Sequence, residues 1–162
     1  MKRLILDILL SLFFILLQTT LVKYLAIGSI VPDIPFIWIV YLAIRSGQVT
    51  GTAAGFLIGL TFDLLSGSEG MLGLGALSKT LGGFVAGYFY NENKTFQTLG
   101  GYQFIVAIIV TSLVKNLIYF VIFLQGVTSS WDAVVLYGIP TTLYSAVLAL
   151  VPMFAVARKH LA

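Results

Sequence analysis

Six apolar runs, at residues 4–22, 34–46, 47–65, 71–90, 102–124 and 133–156, follow one another along the chain with only short polar turns between them. A helix that crosses the ~30 Å hydrocarbon core of a bilayer needs about 20 mostly apolar residues. The pattern therefore predicts an all-α polytopic membrane protein of six transmembrane helices, forming a single integral membrane domain over residues 1–162. Only 9% of the residues are charged, against roughly a quarter in soluble domains, and mean hydropathy is +1.05. A soluble globule is excluded, and these residues leave no room for a separate extramembrane domain.

A net charge of +3 would suggest nucleic acid in a soluble protein. Here the nine basic residues are scattered along the chain, so they read as topology signals and no nucleic-acid partner is expected. Cysteine is absent and the single histidine is His160, which removes thiolate metal sites, cysteine nucleophiles and histidine clusters. No enzyme activity, metal or cofactor is expected.

Met1-Lys2-Arg3 ahead of the first run resembles the start of a signal peptide, but the run ends in Gln18-Thr19-Thr20 without a small-x-small cleavage site, so it reads as the first span. Before the second run stands Val31-Pro32-Asp33-Ile34-Pro35. Asp33 is suited to cap a helix, and Pro35 is tolerated in a first turn, where its missing N–H would have no intrahelical partner. From Ile34 to Ser46 this helix covers about 20 Å at 1.5 Å per residue, short for a crossing unless the bilayer thins and Arg45 snorkels to the interface. Tyr24, Tyr90, Tyr102 and Trp131 fall near span ends, as interfacial aromatics do.

Charge decides whether the short helix crosses. If it does, Lys2, Arg3, Arg45, Lys94, Arg158 and Lys159 share one side and only Lys23 lies on the other. If it is re-entrant, Lys2 and Arg3 face Lys23, Arg45, Lys94, Arg158 and Lys159. Only the first arrangement satisfies the positive-inside rule. Six crossings with both termini cytoplasmic in a bacterial inner membrane are expected, with Lys79 and Lys115 left at membrane depth.

In the third run Gly47, Gly51, Gly55 and Gly59 recur every four residues, and the next step is Asp63. The fourth repeats the spacing with Gly75, Lys79, Gly83 and Gly87, beside Gly82 and Ala86. Lipid gives helices no hydrophobic reason to associate, so small residues that allow close backbone approach mark packing faces. Joined by the Ser66-Gly67-Ser68-Glu69-Gly70 turn, the two helices should form an antiparallel hairpin, with an Asp63–Lys79 ion pair expected inside it. The alternative for Asp63 is a shallow, hydrated site.

An unpaired charge at the bilayer centre costs at least ~2.5–3.5 kcal/mol, so Lys79 and Lys115 should face the bundle interior or a water-filled cavity. For Lys115 the candidate partners are Asp63, a backbone carbonyl or a bound anion. Two lysines against one aspartate would leave a positive interior able to receive a phosphate or carboxylate group. Asp7 is expected at the interface, and Gln18 in a hydrogen bond between helices.

Pro32-Asp33-Ile34, the run Gly51, Gly55-Phe56, Gly59-Leu60, Asp63, then Gly70 through Gly75-Ala76-Leu77 and Gly82 to Gly87 together resemble the rod shape-determining MreD family. Span layout and motif order agree over nearly the whole chain, while the last two runs match in hydropathy alone. Lys79 and Lys115 stand outside the motif. The resemblance implies a non-enzymatic membrane subunit of the elongation (rod) complex. Its expected partners are the bitopic scaffold MreC, with the actin-like MreB filament, the glycosyltransferase RodA, a class B penicillin-binding transpeptidase and membrane lipid. The architecture also looks similar to the small-molecule-binding S components of ECF transporters. The alternative is therefore a transporter subunit that binds a small molecule or lipid headgroup. Scaffolding predicts association with single-span partners, whereas transport predicts saturable ligand binding.

Overall fold

The computed structural model describes residues 2–28, 30–66, 72–123, 132 and 134–161. The expected turn residues 67–70 and Trp131 lie outside them. The described residues form an all-helical bundle: α1 Lys2–Thr20, α2 Ile34–Ser46, α3 Gln48–Ser66, α4 Leu74–Ala86, α5 Thr95–Gly100, α6 Tyr102–Phe123 and α7 Ile139–Leu161. A 3-10 turn, Gly87–Phe89, extends α4, and a π-helical turn, Val134–Gly138, leads into α7.

Among the described residues four stretches are long and apolar enough to cross a membrane: Lys2–Thr20, Gln48–Ser66, Tyr102–Ile122 and Val134–Arg158. The other two runs expected to span, 34–46 and 71–90, hold the shorter helices α2 and α4, of 13 residues each. Both short helices are largely enclosed: in α2 Phe36, Ile39, Val40, Ala43 and Ile44 are fully buried, and its Asp33 end stops inside the bundle while Ser46 is exposed at the other.

Helices α1 and α2 run antiparallel, fixed at both ends by polar side chains. Asp7 pairs with Arg45 at one end. At the other, Gln18 Oε1 accepts from the Ile34 N–H at 3.1 Å and Gln18 Nε2 donates to the Pro32 carbonyl at 2.8 Å. Between them Trp38 Nε1 donates to Ser11 Oγ at 2.9 Å. Asp7 is therefore not merely hydrated, and Gln18 closes both backbone groups that flank the α2 cap.

The chain returns at Ser46 to the end where α1 began, and Gly47 turns it into α3. Gly47 has φ +93°, a left-handed conformation that disfavours a side chain, and its N–H caps Ala43 O at 2.9 Å. It serves as the α2 cap rather than as a member of the packing stripe. Tyr90 lies beside Gly47, Gly87 against Gln48, and Gly100 against Ala157. Asp7, Arg45, the α4–α5 connection and the last turns of α7 consequently share one end of the bundle.

Helices α3 and α4 make the most extensive helix contact in the fold. Gly51 meets Ala43 and the Gly83 carbonyl, Gly55 the Lys79 and Thr80 backbone, and Gly59 the Ala76 backbone. A Cβ on Gly59 would stand 2.6 Å from Ala76 Cα, closer than real contacts allow. From α4, Gly83 returns the contact onto the Gly51 carbonyl. The two backbones touch because α3 presents glycine at each contact and α4 turns its own backbone, with Gly83 at one end, toward it, as expected where dispersion drives association.

The outer surface is apolar. Along α1, Leu4, Ile5, Leu9, Phe13 and Leu16 are all exposed.

Candidate functional site: a charged cluster inside the bundle

Local sequence places Asp33 at the centre. The flanking Pro32 and Pro35 stop helix before Ile34, and Asp33 Oδ1 accepts from the Phe36 N–H at 3.1 Å, which caps α2. Its own N–H donates to Ser145 Oγ of α7 at 3.0 Å. Because α2 is short, its capped end stops inside the bundle, level with the middle of α6 and α7.

Both interior lysines converge on the remaining carboxylate oxygen. Lys115 Nζ donates to Asp33 Oδ2 at 2.7 Å, and Lys79 Nζ stands 3.4 Å from the same oxygen. Lys115 also lies over the Phe36 ring, 4.9 Å from its centroid, and Lys79 over Phe62 at 4.8 Å. Both ammonium groups thus find a carboxylate and an aromatic face in a desolvated setting, where each interaction is worth more than in water. Gly82 makes this arrangement possible: a Cβ there would lie 2.6 Å from the Phe36 ring.

The expected Asp63–Lys79 pair is replaced by Asp33–Lys79. Asp63 Oδ2 instead accepts from the N–H groups of Gly73 at 3.1 Å and Ala76 at 3.0 Å, closing the start of α4. Helix register is the reason. Gly75 lies against the Asp63 carboxylate and leaves it the space a side chain would fill, whereas the Lys79 backbone lies against Gly55, two turns deeper along α3. Asp63 is buried.

For Lys115 the side-chain partner is likewise Asp33, in place of the Asp63 considered from the sequence. The neighbouring Asn116 does structural work: its Nδ2 donates to the Gly138 carbonyl at 2.9 Å and to Thr142 Oγ1 at 3.1 Å. The Gly138 carbonyl ends the wide π turn, and Thr142 Oγ1 also donates to it at 2.8 Å. Burying that carbonyl without partners would cost about 1–3 kcal/mol.

Between α3, α4, α6 and α7 these groups line a cavity of about 330 Å³, whose wall includes Asp33, Asp63, Lys79, Lys115 and Asn116. Among the described residues no group of three or more His, Asp or Glu could hold a metal ion. Pro32 is fully buried, its carbonyl on Gln18. Of the expected packing glycines, Gly51, Gly55, Gly59 and Gly83 meet at the α3–α4 crossing, Gly87 seats Gln48, Gly75 receives Asp63, and Gly47 caps α2.

The sequence placed Asp33 as a helix cap and, with Pro32, in the family motif, but not as a counter-ion. The available signal was length: an acid that caps a 13-residue helix is poorly placed to reach water and calls for a cation.

Among the described residues, an all-helical bundle with four membrane-compatible helices, glycine-packed crossings and a charged cluster turned inward defines a multi-helix membrane protein. The sequence matches the family described as rod shape-determining protein MreD over residues 2–159, and the chain belongs to that family. No curated protein and no solved structure matches it.

Proposed function

We propose that this chain is a non-enzymatic subunit of the bacterial elongation (rod) complex. In this reading it lies in the inner membrane, crosses six times with both termini cytoplasmic, and scaffolds lateral peptidoglycan synthesis. It does so by binding the bitopic MreC, and through it RodA, a class B penicillin-binding transpeptidase and MreB. The observation that carries this reading is the family match across residues 2–159. The shared end that holds Arg45, Lys94 and Arg158 supports the six-pass path, since it gathers basic residues as a cytoplasmic face does.

The structure supports a scaffold because its interior charges Asp33, Lys79 and Lys115 face one another while α1 presents apolar side chains outward. Such a face suits a partner helix, whose packing in lipid rests on shape and small-residue contacts. Leu9 and Phe13 stand on that face. A photo-crosslinking residue in place of Leu9 or Phe13 is expected to capture a single-span wall-synthesis protein in growing cells. Crosslinks to lipid alone at both positions would contradict partner docking on α1.

A further inference from the structure

We propose that the cavity between α3, α4, α6 and α7 is a binding site for one phosphate-class anion, either a lipid phosphodiester headgroup or a free phosphate, with Lys79 as its principal contact. The inference stands apart from the rod-complex reading and rests on the geometry of the site alone.

The first argument is charge. The wall holds two lysines, Lys79 and Lys115, and two aspartates, Asp33 and Asp63. Each aspartate also sits at a helix N-terminus: Asp33 caps α2, and Asp63 accepts from Gly73 and Ala76 at the start of α4. A helix N-terminus carries about half a positive charge, so two of them offset roughly one of the two carboxylates. The wall is left positive by about one unit, which is what a single phosphodiester would neutralise.

The second argument is unspent donor capacity. Lys115 is committed to Asp33 at 2.7 Å, but Lys79 stands 3.4 Å from that shared oxygen. An ammonium group carries three donors. Lys79 is buried, and a desolvated ammonium gains much from a closer anion. Asp63 shares the cavity wall, but its Oδ2 is turned to the α4 backbone, where it accepts from the Gly73 and Ala76 N–H groups, and it makes no ion pair with Lys79 among the described residues.

The third argument is space and access. About 330 Å³ lies within the range of small-ligand sites. The wall includes Ser66, an exposed residue in the last turn of α3, so the cavity reaches toward the bundle end away from Arg45. In the proposed site a headgroup or a dissolved ion enters from that end.

The chain has no cysteine, so a Thr141→Cys variant carries one reactive thiol on the cavity wall, with all four charges intact. Its modification rate by N-ethylmaleimide in dodecyl maltoside micelles is measured alone, with added phosphatidylglycerol, and with millimolar inorganic phosphate. Bound anion should slow the reaction about tenfold at about ten times its Kd. Slowing by phosphatidylglycerol only identifies a lipid headgroup, and slowing by phosphate identifies a site that takes the free ion. Adding Lys79→Met should abolish the protection, while Lys94→Met, exposed and outside the cavity, should leave it. Absence of slowing in both arms overturns the proposal, as does slowing that survives Lys79→Met or is lost with Lys94→Met. The Lys79→Met variant keeps Lys115 on Asp33, and the first comparison is readable whatever that variant does.

Discussion

Asp33 and Lys115 lie 82 positions apart in the chain, and their side chains meet at 2.7 Å inside the bundle. That contact joins the start of α2 to the middle of α6, and Lys79 brings α4 to the same carboxylate. One aspartate therefore holds three helices in register.

Removing Asp33 should be the most damaging single change in the interior. Asp33→Ala strands two buried lysines and also removes the α2 cap, and breaking a buried pair typically costs about 3–5 kcal/mol. Folded yield in detergent should fall sharply, whereas Asp33→Asn combined with Lys79→Met and Lys115→Met should recover much of it. Asp63→Ala should cost less, about 0.5–2 kcal/mol, since it removes a helix cap and not a counter-ion. Equal loss from Asp33→Ala and Asp63→Ala would contradict this ranking.

Glycine contacts at the α3–α4 crossing predict a graded response. Gly55→Leu and Gly59→Leu drive a side chain into the α4 backbone, which cannot give way as a flexible side chain would. Overpacking of this kind typically costs about 1–3 kcal/mol, and thermal unfolding in micelles would register it as a lowered midpoint. Gly73, where an added Cβ meets nothing within 4 Å, has no such neighbour, but its φ of +99° penalises any side chain. Unchanged midpoints for both leucine variants would mean that the two helices do not cross as described.

The Asp7–Arg45 pair should matter much less. Both side chains are partly exposed, at 18% and 32%, and partly exposed pairs contribute about 0–1 kcal/mol. Asp7→Asn is expected to shift stability by under about 1 kcal/mol and to be insensitive to an accompanying Arg45→Gln. A loss as large as that of Asp33→Ala would show that this end is as desolvated as the centre.

Much of the architecture was legible in the sequence because hydropathy and glycine spacing are local signals. A helix expected over residues 34–46 is observed as Ile34–Ser46, and the glycine stripes that suggested an antiparallel hairpin do meet. The small helix Thr95–Gly100 was not foreseen, since residues 95–100 carry too little apolar length to register as an element. The charge pairing was less legible because it depends on register between helices. Asp63 and Lys79 are close in sequence, but Asp63 lies against Gly75 while Lys79 lies against Gly55, two turns away along α3, which gives Asp63 to the α4 backbone and leaves Lys79 for Asp33. Nothing in the sequence near Lys115 points 82 residues back to Asp33; only the shortness of α2 does.

Topology offers an independent check. The geometry puts Asp7, Arg45 and Ala157 at one end, so in a six-pass arrangement a cysteine at either terminus should be shielded from a membrane-impermeant thiol reagent in intact cells. A cysteine at Lys23 should react. Labelling of the C-terminal cysteine from outside would overturn six crossings.

The most direct test of the rod-complex role is mass spectrometry of what co-purifies with the tagged chain in mild detergent. The account predicts recovery of the single-span MreC with cell-wall synthases. Recovery of an ATPase module with a stoichiometric small ligand, and no wall-synthesis protein, would contradict it.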